Sequence, residues 1–185
     1  MKLFRLTAAA LAIAATASIS YAQMGKNPMV GGKEMFPTKN IIENAVNSAD
    51  HTTLVAAVKA AGLVDTLSGT GPFTVFAPTN AAFGKLPAGT VDSLLKPDMK
   101  PTLTKVLTYH VVAGKVSAED LMKKITDGKG TAELTTVAGG KLWASVKDGK
   151  VVLKDEKGGL STVTQADVFQ SNGVIHVVDT VVMPS

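Results

Sequence analysis

Cysteine is missing from this chain altogether, arginine and tryptophan occur once each, and histidine occurs three times. Without cysteine there is no disulfide, no thiol nucleophile, no cysteine-based zinc site and no N-terminal cysteine to carry a lipid. The single arginine is Arg5, and every other basic residue is lysine. Nucleic-acid readers depend on the bidentate guanidinium for base and phosphate contacts, so a nucleic-acid partner is not expected. The lysines are scattered singly and read as solvated surface. His51, His110 and His176 have no second ligand-type residue at helical or hairpin spacing, so neither a metal nor a cofactor is expected. There is no G-x-S-x-G elbow. The segment Ser68-Gly-Thr-Gly-Pro72 precedes a strand pattern, lacks a following Gly-Lys-Ser/Thr, and reads as a tight turn, not a phosphate loop.

Long apolar runs are also scarce. One occurs, Leu6 to Ile19, behind the positive pair Lys2 and Arg5 and ahead of Ser20-Tyr21-Ala22. Small residues at both ends of that last triplet suit a cleavage site, and a run of about 14 residues falls short of the roughly 20 that span a bilayer. Residues 1–22 are therefore expected to be a secretory signal peptide. The remainder should have no membrane span and a secreted location, periplasmic or extracellular. Removing 22 of 185 residues leaves 163, enough to bury roughly 70% of the unfolded surface without disulfide or metal. Of 19 basic and 15 acidic residues, Lys2 and Arg5 depart with the leader, leaving 17 against 15, a net +2.

Residues 23–37 are rich in Gly, Pro and Met without an apolar period, and are expected to form a flexible lead-in to a single domain over 38–185. The front half reads as helical. Thr38 is placed to cap IIENAVNSA, and Asp50 to cap TTLVAAVKAA, which Gly62 stops. Phe73 to Ala77 is a short strand ending at Pro78. Thr79 or Asn80 caps a helix over 81–85, Thr90 starts another over 91–95, and Pro101 suits the first turn of a helix reaching Thr108. Ser117 and Asp120 have capping-box spacing before a helix through Lys124. The back half reads as β. Residues 141–146 and 150–154 flank Asp148-Gly149, a strong hairpin signal. Gly158-Gly159 turns into a strand over 161–169, and Asn172-Gly173 into one over 174–183. That last strand is apolar on both faces and belongs near the middle of a sheet. Helices followed by strands argue for an α+β class over repeated βαβ units.

Two features stand out. Tyr109-His110 lies among Val106, Leu107, Val111 and Val112, and His176 and Asp179 lie inside the apolar stretch 174–183. Buried polar groups must find hydrogen-bond partners, so each is expected to tie a loop or strand to the core, with a ligand site as the alternative. Trp143 reads equally as core or as an exposed binding anchor.

Three segments together resemble the fasciclin (FAS1) family. GPFTVFAPTNAAF (71–83) is similar to the family's first signature, with Phe73, Thr74, Phe76, Ala77, Pro78, Asn80 and Phe83 as motif positions. LTYHVV (107–112) resembles its central motif through Tyr109 and His110. NGVIHVVDTVVMP (172–184) resembles the second signature through Gly173, Ile175, His176, Asp179 and Pro184. The order and spacing are also the family's, and the resemblance runs from Phe36 to Pro184. Met183 stands where leucine is common, a near-isosteric change. The resemblance implies a compact β-wedge or sandwich with helices packed on its N-terminal side, and motif residues that are mainly structural. It also implies a non-enzymatic role in adhesion, with an extracellular or cell-surface macromolecule as partner. Two other functions compete: binding of a small extracytoplasmic ligand such as a sugar or lipid, and hydrolysis by a triad assembled from distant residues. An apolar pocket with converging polar groups would favour the former, and a serine–histidine pair beside a carboxylate the latter. For an adhesive surface, the helical front half and the loop around Pro97–Pro101 are the expected places.

Overall fold

The computed structural model describes residues 27–185; the expected leader, residues 1–22, lies outside them. The elements run α1 (Ile41–Asn47), α2 (Thr52–Ala61), α3 (Val64–Ser68), β1 (Phe73–Pro78), α4 (Asn80–Gly84), α5 (Thr90–Leu94), α6 (Lys100–Tyr109), β2 (Val111–Ala113), α7 (Ala118–Asp127), β3 (Thr131–Thr135), β4 (Lys141–Lys147), β5 (Lys150–Lys154), β6 (Leu160–Gln170) and β7 (Gly173–Val178).

The strands form one sheet in the order β2-β1-β7-β6-β5-β4-β3. Every pairing is antiparallel except β1 with β7, which run parallel from Phe73 opposite Gly173 to Pro78 opposite Val178. The sheet is therefore mixed, although the sequence order suggested only helices then strands. A bridge between Val112 and Thr136 brings the two edges together, so the sheet is nearly a barrel. The long strand β6 makes this curl possible. Its first residues pair with β5 and the rest with β7, and its register slips between Val163 and Gln165 and again between Gln165 and Val168. Irregularities of this kind bend a strand and sharpen its twist. Asp167, with φ of 57°, sits at the bend.

Two apolar clusters fill the molecule. One joins α1 to α6 with β1, β7 and Val168 of β6. The other fills the curl of β3 to β6 under α7, and includes Phe76, Tyr109, Leu142, Leu153 and Val178, each fully buried. The expected α+β wedge with helices on its N-terminal side is the architecture formed. β7 is buried along its whole length and lies between β1 and β6, as two-faced apolarity requires.

Several local expectations need adjustment. Asn40, not Thr38, caps α1, through a reciprocal box with Glu43. Asp50 caps nothing; it lies in a 3-10 turn, Ala49–His51, that runs into α2. Gly62 ends α2 in the left-handed conformation, with φ of 72°. Ser117 and Asp120 form the expected capping box of α7. That helix buries Leu121 and Ile125, one turn apart, which is the spacing that puts both on one face. The β4–β5 turn has positive φ at Asp148 and Gly149, the primed geometry that matches strand twist. β3, a strand beyond those expected from sequence, alternates exposed and buried residues from Thr131 to Thr135, the period-two pattern of a half-buried strand. The last strand stops at Val178, and the chain beyond it is irregular although Val181 and Val182 stay buried. The described part of the lead-in is docked, contrary to the flexible segment expected. Val30 and Met35 enter the first cluster, and Asn27 exchanges two hydrogen bonds with the Phe169 backbone on β6.

Candidate functional site

The polar residues at the middle of the fold connect segments that backbone pairing leaves loose. On β1, the Thr74 hydroxyl donates to the Gly114 carbonyl at 2.7 Å and accepts from the Val116 N–H at 2.8 Å. On β7, the His176 Nε2–H donates to the Val116 carbonyl at 2.8 Å, and Nδ1 accepts from the Asp167 N–H at 3.3 Å. Thr74 and His176 thus fix the loop before α7 from two strands. The Asp167 carboxylate accepts from the Ala118 N–H at 2.7 Å, placing a negative charge at the positive end of α7. The His176 ring also stacks on Phe76, centroid to centroid at 5.6 Å.

The Tyr109-His110 pair does the same at the end of α6. The Tyr109 hydroxyl donates to the Lys141 carbonyl at 2.6 Å and accepts from the Glu156 N–H at 3.2 Å, joining α6 to β4 and to the β5–β6 turn. The His110 Nδ1–H donates to the Val106 carbonyl at 2.8 Å, and Nε2 accepts from the Val182 N–H at 3.1 Å. One donor and one acceptor nitrogen define a neutral imidazole. Burial agrees, pushing His110 down to about 4 and lowering His51 and His176. Burial pushes the Tyr109 phenol up to about 12.

The remaining motif positions are also engaged. Asn80 accepts from the Thr53 N–H and donates to the Ala49 carbonyl, holding α4 to the start of α2. Asp179 accepts from the Thr162 N–H and lies 3.7 Å from the Lys85 ammonium. Phe76, Ala77, Pro78, Phe83, Ile175 and Pro184 are buried, and Phe73 is half-buried. A side chain at Gly173 would collide with the Phe73 carbonyl, so close pairing of β1 with β7 requires glycine there. Two connectors escaped the sequence reading. Asn172 accepts from the Ile41 N–H and donates to the carbonyls of Leu67 and Gly69. Asp155, buried, accepts from the N–H groups of Lys157, Gly159 and Met183. Both sit in segments that read as ordinary turns, and nothing local marks them as reaching distant chain.

The chemistry open to this arrangement is narrow. Ser48 and His51 approach to 2.8 Å between Oγ and Nδ1, but both are buried and no carboxylate bonds the far ring nitrogen. Among the described residues no three His, Asp or Glu side chains gather as a metal would need. The enclosed apolar space between α1, α2 and the sheet amounts to about 30 Å³, room for a water or two and not for a lipid or sugar.

The larger hollows are open and lie at the surface around the β5–β6 turn. One, of about 620 Å³, is walled by Trp143, Thr131, Lys154 and Lys157. The other, of about 400 Å³, lies between Pro101 and Lys105 of α6 and Met183 and Pro184. Lys157 borders both. The Pro97–Pro101 segment is a 3-10 turn running into α6, exposed except at Met99.

The family model for the fasciclin domain matches residues 49–184. This chain belongs to the fasciclin domain family. The fasciclin domain is a module associated with adhesion and cell-surface proteins, and is generally non-enzymatic. The chain is 46% identical over 179 residues to Protein sll1483 of Synechocystis sp., covering 97% of this chain and 92% of that protein. It is 39% identical over 145 residues to the Immunogenic protein MPB70 of Mycobacterium bovis, covering 76% of this chain and 66% of the relative. It is also 37% identical over 132 residues to the Transforming growth factor-beta-induced protein ig-h3 of Sus scrofa, covering 71% of this chain but 17% of that longer protein. Among solved structures, a FAS1 domain pair from the insect cell adhesion molecule Fasciclin I matches with a TM-score of 0.67 at 21% identity, covering 77% of this chain and 50% of that one. At that identity the likeness concerns the fold.

Proposed function

We propose that this fasciclin domain is an exported interaction module that binds an extracellular or cell-surface macromolecule through its exposed surface and turns over no substrate. The observation that carries this reading is how the polar groups are used. Thr74, Tyr109, His110, Asp155, Asn172 and His176 each bond to backbone from a distant segment, and the enclosed apolar space is about 30 Å³. What remains for a partner is the surface, where the two open hollows adjoin. Membership of the fasciclin domain family, a module associated with adhesion and cell-surface proteins, supports the same reading. Export rests on the leader: cleavage after Ala22 would start the secreted protein at Gln23, which the intact mass of exported material checks.

The test of function is saturable attachment of the purified chain to cells or envelope material, measured with Lys96, Asp98 and Lys100 charge-reversed and, separately, with Lys105 and Lys157 reversed. At least one set should weaken attachment roughly tenfold. Saturable ester or glycoside hydrolysis, lost on replacing one serine or carboxylate, would overturn the reading.

A further inference from the structure

Six asparagines occur in the chain, and Asn172 is the only one followed by glycine. Asparagine is a chemically labile residue, and a following glycine makes it more so. The next backbone nitrogen, with no side chain beside it and free to rotate, can attack the side-chain carbonyl carbon. The fold needs both members of the pair. Asn172 commits its whole carboxamide to backbone: Oδ1 accepts from the Ile41 N–H at 3.0 Å, and Nδ2 donates to the carbonyls of Leu67 and Gly69 at 2.7 and 2.8 Å. Gly173 lies between β1 and β6, opposite Phe73 and Gln170, and a side chain there would collide with the Phe73 carbonyl. Packing thus places a reactive dipeptide where neither residue is freely exchanged.

The same contacts block the reaction. Cγ reaches the Gly173 nitrogen only when the carboxamide leaves its three backbone partners. Those partners lie in α1, in α3 and at the C-cap of α3, so opening the β6–β7 turn alone does not free the side chain. The Asn172 carbonyl is held as well, accepting from the Phe73 N–H at 3.0 Å, and the residue is buried.

We propose that Asn172-Gly173 is a deamidation site kept shut by the native fold, and that reaction there makes prolonged unfolding irreversible. In the unfolded chain the Gly173 nitrogen bonds to Asn172 Cγ, the Cγ–Nδ2 bond breaks, and ammonia leaves with the former amide hydrogen of Gly173. Water then opens the cyclic imide to aspartate or isoaspartate. Neither product fits the native site. A carboxylate has no hydrogen to give to Leu67 and Gly69, and its buried charge would face their carbonyl oxygens. Isoaspartate also adds a carbon to the backbone of the short turn between Gln170 and Gly173. Chemical change of the unfolded state then competes with refolding.

The test holds purified protein at mildly alkaline pH, one sample native and one in guanidinium chloride. Mass spectrometry follows the peptide that carries residue 172, and refolding yield is measured on dilution. Conversion of Asn172 should be slower in the native sample by about a thousandfold or more, the scale set by the small unfolded fraction of a stable domain. In guanidinium the refolding yield should fall in step with conversion at residue 172. Asn172→Gln, whose extra methylene makes ring closure much slower, should keep its own starting yield through the same incubation. Asn172→Asp should have a lower guanidinium midpoint than wild type, or fail to fold. Equal conversion rates in the native and unfolded samples would overturn the proposal, and that comparison stands whether or not either variant folds. So would a refolding yield that survives full conversion, a yield that falls without it, or Asn172→Asp protein as stable as wild type.

Discussion

The centre of the sheet and its β4–β5–β6 flank are built from the same alternation of strand residues, yet they treat polar groups in opposite ways. In β1 and β7 the outward and inward faces are both covered, and each polar side chain is bonded to backbone that is far away in sequence. On the flank one face is covered and the other carries Trp143, Lys154 and Leu160 to solvent. A polar group in the first region is committed to the fold, because removing its partner leaves a buried group unsatisfied. A polar group in the second region is available to a partner, because water already satisfies it. The signature residues Thr74 and His176 in the centre are therefore committed to the fold, and under the proposed function the flank is where a partner would find free groups.

The largest expected effect lies in the centre. His176→Ala removes the aromatic contact with Phe76 and orphans the Val116 carbonyl and the Asp167 N–H. It should cost about 3 kcal/mol in urea unfolding, and a loss under about 1 kcal/mol would place His176 outside the set of structural connectors. Acid should act on the same region. His110 has its folded-state value lowered to about 4 by burial, against about 6.5 in an unfolded chain. Between those values the unfolded state binds the extra proton, so stability is full above about pH 6.5 and falls as pH drops toward 4, by on the order of 3 kcal/mol from His110 alone. His51 and His176, also lowered, add to the loss in the same direction. Urea midpoints flat across pH 4 to 7 would break this account of the histidines.

A smaller effect is expected where centre meets flank. Tyr109→Phe keeps the ring and removes the hydroxyl bonds to Lys141 and Glu156. It should cost about 1–2 kcal/mol and raise amide exchange in the β5–β6 turn before other segments. The smallest effect belongs to the flank itself. Lys154→Glu with Lys157→Glu should move stability by less than about 0.5 kcal/mol. A larger loss would mean that these lysines serve the fold.

How far these two regions could be read from sequence follows from the range of the interactions involved. The β4–β5 hairpin, the α7 capping box and the glycine end of α2 were legible because each is set within a few residues: Asp148-Gly149, Ser117 with Asp120, and Gly62. The parallel pairing of β1 with β7 was not, since Val75 meets Ile175 across the length of the domain and no local pattern encodes such a partner. The same holds for Asp155, which reads as a turn residue until the Met183 N–H arrives at it. Sequence points to Thr38 as the cap of α1, whereas Asn40, two residues on, has the same capping chemistry and takes that place, a shift within the usual uncertainty of helix ends. The docking of residues 27–37 depends on Val30 and Met35, two anchors without a period. For the flank, sequence left Trp143 open between core and surface. Only the register against Glu133 and Lys154 resolves it, by placing the indole on the outer face.

One comparison tests the central claim most directly: attachment per folded molecule for His110→Ala, measured well below its unfolding midpoint, beside its stability. His110 is buried and bonded to Val106 and Val182, so the account predicts a loss of about 2–4 kcal/mol in stability and attachment equal to wild type for the fraction that remains folded. Unchanged stability with abolished attachment would contradict it, and would make the signature histidine part of a binding site instead of part of the frame.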